Sequence, residues 1–155
     1  MDLKEAQGLI DTDAVMIATL AKAVHENYGE EGLAVLRNTM EKTFRRIIAN
    51  IAKHMGAKTQ DGSINDWANV EKYIGGFLGM EGDFEITPTK GVMRVRNCPY
   101  AKQYQRTFPE VCSEVLIGCE RAIAGTINDR MRVRGEKYIT LGHGVCEIVC
   151  ELEEK

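Results

Sequence analysis

Apolar residues recur at helical spacing through the first half of the chain and at alternating spacing through much of the second. Between residues 11 and 28, Ile17, Leu20, Ala21, Val24 and Tyr28 fall on one face of a 3.6-residue period, with Asp11 or Asp13 placed to cap the start. Gly29 closes that helix. A longer one follows from about Glu30 to Met55 on the stripe Leu33, Leu36, Met40, Phe44, Ile47, Ile48, Ile51 and Met55, with Gly56 as its C-cap. After a loop, Ser63 and Asp66 match a capping box and open a third helix. Its apolar face is Trp67, Val70, Tyr73, Ile74, Phe77 and Leu78, and Gly75, Gly76 and Gly79 weaken its end.

Beyond Gly82 the period changes to two. Residues 83–97 predict a β-hairpin around a Pro-Thr-Lys-Gly turn, with Arg94 and Arg96 on one face and Met93 and Val95 on the other. Cys98-Pro99 ends the second strand, because proline cannot donate to a ladder. Thr107 and Glu110 match a second capping box, opening a helix to about Ala124 with the stripe Phe108, Val111, Cys112, Val115, Leu116, Cys119 and Ile123; Gly125 ends it. The remainder predicts two strands joined at Leu141-Gly142-His143-Gly144. In the last of them Cys146, Ile148, Cys150 and Leu152 share a face, with Glu147 and Glu151 opposite.

Three helices, a hairpin, a helix and a hairpin make an α+β fold: N-terminal helices and one further long helix packed on an antiparallel sheet built from two hairpins. The expected organisation is a single domain, 1–155, with a helical half at 1–82 and a cysteine-bearing half at 83–155.

Composition narrows the function. With 155 residues, 44% apolar and 28% charged, the chain is long enough to bury a real core and is not of the disordered class. A formal net charge of -3 argues against nucleic acid as a partner, and the Lys42, Arg45 and Arg46 group reads as a solvated helix face. No apolar run approaches the roughly 20 residues that span a bilayer, and the acidic, amphipathic start lacks a signal-peptide core. The expected compartment is the cytoplasm, with no membrane partner. Five cysteines is an odd number, so thiols or metal ligands are expected rather than a disulfide frame.

All five cysteines lie between Arg94 and Cys150. Cys112 and Cys119 share a helix face but stand roughly 10 Å apart at 1.5 Å per residue, and Cys146 and Cys150 stand roughly 13 Å apart along a strand. One site can therefore take one cysteine from the helix, one from the last strand, and Cys98 with His143. Cys112, Cys119, Cys146 and Cys150 sit on apolar stripes, where a thiol also serves as a small hydrophobe. Cys112, near a helix start, and Cys98, flanked by Arg94, Arg96, Lys102 and Arg106, sit where a thiolate is favoured. That basic corner suits a carboxylate substrate held by Arg94 or Arg96. If a metal is present, zinc on Cys112 and Cys146 fits the spacing. Trp67 either lines a pocket or packs in the core; His25 and His54 lie at helix ends. No G-x-S-x-G, P-loop, H-E-x-x-H or dinucleotide fingerprint occurs, so no nucleotide cofactor is expected.

Val95–Tyr100 (VRNCPY), Pro109–Cys112 (PEVC), Cys119 and Thr140–Ile148 (TLGHGVCEI) together resemble the L-2-amino-thiazoline-4-carboxylic acid hydrolase family. Members similarly carry a Cys-Pro-aromatic corner, cysteines on the next helix and a closing Thr-Leu-x-Gly hairpin ending in cysteine. Where the family has Asp after Gly142, this chain has His143. The Gly-His hairpin is more distantly similar to vinyl-reductase-type ligand-binding domains, some of which hold zinc through a Glu and cysteines; the strand before it here carries Gly135, Glu136, Tyr138 and Ile139, with no cysteine. The first resemblance implies opening of a cyclic amidine-like C–N bond in a small amino-acid-derived heterocycle. Cys98 would then act as nucleophile, His143 would move protons, and Arg94, Arg96, Cys112 and Trp67 would contact substrate. The other class is a non-enzymatic, sensor-like module for a small ligand, working as a homodimer with structural or metal-holding cysteines.

Overall fold

The computed structural model describes residues 3–153, so the first two and last two residues of the expected 1–155 unit lie outside it. A long helix, α1 (Leu3–Met55), consists of two arms joined at Gly29, whose φ of 60° and ψ of -151° break the helical path. Only glycine takes that left-handed φ without strain, so the boundary expected there becomes a kink. The first arm starts well before Asp11 and Asp13, which lie inside the helix instead of capping it.

Its buried face also differs from the expected one. Leu20 and Tyr28 are exposed, while Ala14, Ala18 and Ala21 are fully enclosed. These alanines pack with Leu33 against Tyr104, Phe108, Val111 and Val115. The bulky side chains come from the facing segment, so small ones are needed on α1.

The second helix, α2 (Ile64–Phe77), begins as its sequence predicts. Ser63 N–H donates to Asp66 Oδ2 at 2.9 Å and Asp66 N–H to Ser63 Oγ at 3.3 Å, closing the capping box. Phe77 and Tyr73, expected on the apolar face, are exposed, and Glu71 is buried in their stead.

Strands β1 (Glu81–Ile86) and β2 (Lys90–Asn97) form the first hairpin. Strands β3 (Met131–Lys137) and β4 (Cys146–Leu152) form the second, joined through a 3-10 turn at Ile139–Leu141. The hairpins unite through β2 and β4 into one antiparallel sheet of order β1-β2-β4-β3. Its inner face carries Met93, Val95, Met131, Val133, Ile148 and Cys150 onto α2, the fourth helix and the second arm of α1. Gly91 lies in β2 under Trp67, where an added Cβ would come within 2.4 Å of the indole. The outer face is charged: Arg94 pairs with Glu147 across β2 and β4, and Arg134 with Glu151 across β3 and β4.

The segment between the hairpins holds the largest departure. A short helix, α3 (Ala101–Thr107), ends where a new one was expected to begin, and Thr107 caps nothing. The reason is Pro109. A residue before proline is driven from the helical region, and Phe108 is extended, with φ -156° and ψ 91°. After it the chain makes a π turn at Cys112–Leu116 and continues as α4 (Ile117–Ile127). Gly125 does not end α4; the Arg45 guanidinium packs on it, with Nη1 donating to its carbonyl at 3.3 Å.

Candidate functional site

The chain turns sharply at Cys98-Pro99, between the end of β2 and α3. This turn faces the Cys98 sulfur toward the backbone N–H groups of Tyr100 and Ala101. Cys146 opens β4 opposite Val95 in register, and its sulfur accepts the Ile139 N–H at 3.3 Å. Cys112 opens the π turn, with the Thr140 hydroxyl reaching toward its thiol. The three sulfurs lie within electrostatic reach of one another, although they come from three separate elements. Burial is the main cause that raises all three thiols, pushing Cys112 up to about 12. The N–H donors at Cys98 and Cys146 work against burial without overcoming it. The thiolate expected from a basic corner and a helix start therefore does not form at rest; burial outweighs both.

Behind this cluster lie two carboxyls that pattern reading missed. Glu71 follows Trp67 by one turn of α2 and is 5% exposed. Burial, then the charge and hydrogen bond of Glu120 on α4, hold Glu71 well above the usual carboxylate range. Burial also raises Glu120, with the bond from Glu71 pulling the other way. Burial and the mutual repulsion of the two carboxylates favour a proton held by the pair as a unit, with Glu71 the more strongly raised. Part of Glu120 reaches solvent, but its Oε2 is buried. That oxygen, Glu71 Oε1, Trp67 Nε1 and Thr140 Oγ1 all lack a hydrogen-bond partner; the indole N–H and the Thr140 hydroxyl approach Glu71 and Cys112 without completing a bond. Cys119 and Cys150 flank the pair, Cys150 pushed up to about 12 chiefly by burial. Glu120 also acts on Cys112, Cys146 and Tyr138, so carboxyls and thiols form one buried polar seam between helices and sheet.

The other expected site residues are dispersed. Arg94 lies on the outer face of the sheet, 2.7 Å from both Glu85 and Glu147. Arg96 is on that face too, paired with Asp83. Both guanidiniums are engaged by carboxylates of the sheet's outer face, while Cys98 lies beyond the end of β2 and packs against the core, so the basic corner is not built. Trp67 is fully buried and meets Phe84 edge-on at 5.9 Å, within the core. His143 is exposed; its Nδ1 lies 3.1 Å from the Tyr138 carbonyl oxygen, holding the turn. Among the described residues no three His, Cys, Asp or Glu side chains converge as metal ligands. Cys112 and Cys146 supply two thiols, short of the four ligands of a closed zinc site.

Two signals for the missed pair were present. Glu71 falls in the stripe Trp67, Glu71, Ile74, and Glu120 in the stripe Leu116, Glu120, Ile123, Ile127, each at a core position of its helix.

A kinked helix, three further helices and a four-stranded antiparallel sheet enclosing a polar seam define a small α+β domain. Similar architecture occurs in the phenol-responsive sensory domain of the transcription activator PoxR with phenol, at 14% identity and a TM-score of 0.64, covering 90% of this chain and 74% of that one. It also occurs in trafficking protein particle complex subunit 3 from Naegleria fowleri covalently bound to palmitic acid, at 16% identity and a TM-score of 0.61, covering 94% and 95%. At such identities the likeness is one of fold. No curated protein sequence matches. The family profile for L-2-amino-thiazoline-4-carboxylic acid hydrolase matches residues 9–149, nearly the whole sequence, and the chain belongs to that family. No helix among the described residues is long and apolar enough to cross a membrane.

Proposed function

We propose that the chain takes a small amino-acid-derived heterocycle of the 2-aminothiazoline-4-carboxylate type at the Cys98, Cys112 and Cys146 cluster and opens the C–N bond of its cyclic amidine. The observation that carries this reading is the placement of three thiols from three elements within electrostatic reach of one another, in a member of a family named for that hydrolysis. Cys98 is the nucleophile. Backbone N–H groups of Tyr100 and Ala101 already face its sulfur and stabilise the charge that develops there. Its proton passes to the ring nitrogen as sulfur adds to the amidine carbon; the C–N bond breaks, and water then displaces the sulfur. His143, exposed on the turn that leads to Cys146, exchanges protons with solvent. Arg94 and Arg96 have no part in this scheme.

The test is incubation with L-2-amino-thiazoline-4-carboxylate, following loss of the ring by NMR. Turnover is expected, and Cys98→Ser should lower it at least 100-fold while circular dichroism stays unchanged. Equal turnover in the variant removes the nucleophile. A second reading, a sensor-like module, is favoured by burial raising all five thiols and by the fold shared with a phenol-responsive sensory domain. Saturable thermal protection by a small ligand without product would establish it. Leu9, Met16 and Leu20 are exposed on one face of α1, where a second copy would cover them; light scattering reads that state.

A further inference from the structure

The scheme above leaves Glu71 and Glu120 without a task, yet each buries a carboxyl oxygen with no hydrogen-bond partner. No lysine, arginine or histidine is among the groups acting on either carboxyl. One oxygen of each, Glu71 Oε1 and Glu120 Oε2, is buried and unpartnered, and so is Trp67 Nε1, fully enclosed beside Glu71. Buried acceptors without donors are rare in native cores and gather where something else completes them. The pair is not sealed off: Glu120 and its neighbours Cys112, Cys119 and Cys146 each keep partial solvent access.

We propose that Glu71 and Glu120 form the recognition site for the N–C–N group of a cyclic amidine or guanidine, with Trp67 Nε1 completing it. The inference rests on the functional reading above and names what holds the amidine end of the substrate. A planar N–C–N cation presents two parallel N–H donors, matching two adjacent carboxylate oxygens by charge-assisted hydrogen bonds. Its charge takes the place of the proton the pair carries when empty. The indole N–H then closes on the Glu71 carboxylate. The titratable groups facing the pair are Cys119 from α4, Cys112 from the π turn, Cys146 and Cys150 from β4, and Tyr138. All five are raised by burial and stay neutral near pH 7, so the proton released on binding comes from the carboxyls.

The experiment is calorimetry at pH 7 with two probes of one ring shape: 2-aminoimidazoline, a cyclic N–C–N cation, and 2-imidazolidinone, its neutral counterpart. The cation is expected to bind at least 10-fold more tightly, with heats that differ between phosphate and Tris because a proton leaves. Glu71→Gln and Glu120→Gln should each weaken cation binding at least 10-fold. Equal affinity for the two probes, no binding of either, or unchanged affinity in both variants overturns the proposal; the probe comparison needs no variant to fold. If the wild type turns over L-2-amino-thiazoline-4-carboxylate and the two variants do so equally, the hydrolytic reading stands and this one falls. Cation binding with proton release but no turnover gives the reverse.

Discussion

Replacing Glu71 by glutamine removes the proton that the acid pair holds and keeps the shape of the side chain. In the folded wild type, burial and the facing Glu120 keep Glu71 protonated well above its ordinary range. In the unfolded chain it titrates near 4.5. Between those limits the native state binds one more proton than the unfolded state, so stability falls as pH rises. It is fully present below the unfolded value and is lost progressively toward the folded one. One proton sets the maximum slope at about 1.4 kcal/mol per pH unit, or at most about 2.7 kcal/mol across two units. For a domain of this size that is on the order of 5–10 °C in Tm. Glu71→Gln has no such proton to lose, and its amide can donate to Glu120 in place of the acid, keeping the bond that lowers Glu120. The difference in unfolding free energy between Glu71→Gln and wild type should therefore grow in the variant's favour from pH 5.5 to pH 7.5. Urea titrations followed by the single tryptophan, Trp67, read this beside the pair itself. A difference that stays flat with pH refutes the shared proton.

Three further outcomes follow from the packing. Gly91→Ala places a methyl within 2.4 Å of the Trp67 ring and should cost about 1–3 kcal/mol in urea unfolding, as overpacking does. Arg94→Met removes two ion pairs on the outer face of the sheet and should leave urea unfolding and turnover nearly unchanged; a large loss of activity would return Arg94 to the site. At pH 7.5 iodoacetamide should spare Cys112 and Cys150 in the native protein and modify both once urea unfolds it, because burial pushes each up to about 12; mass spectrometry of the peptides reports the pattern.

Where local chemistry decided the outcome, the sequence was readable. The Ser63 and Asp66 box, the position of the break at Gly29, both hairpins and the two faces of β4 follow from period and turn residues alone. Thr107 misled because a capping pattern takes no account of the residue that follows it: Pro109 forces Phe108 out of the helix, so the box cannot close. The alanine face of α1 was hidden for a different reason. Hydrophobicity ranks Leu20 above Ala18, but the aromatics brought by α3 leave room only for alanine. The cysteine corner was legible in place and not in charge state. Strand alternation turned Arg94 and Arg96 outward, and the desolvation that raises Cys98 comes from segments far along the chain. Glu71 and Glu120 were overlooked because a carboxylate in an apolar stripe is normally given to solvent, and only the packing of α2 on α4 shows otherwise.

The π turn at Cys112–Leu116 has a consequence for how the chain can change length. A π turn holds one residue more than an α turn, so deleting Ser113 would let the segment relax into ordinary helix continuous with α4. Because the π turn already absorbs its extra residue, segments on either side of that deletion would keep their phase around the helix axis, and Cys112 would stay on the side of Cys98 and Cys146. Deleting Gly118 instead, in α4 where no extra residue is stored, would turn Cys112 by about 100° relative to Cys119 and Glu120. The same loss of one residue thus keeps or removes the helix thiol from the cluster, depending on which side of Leu116 it falls.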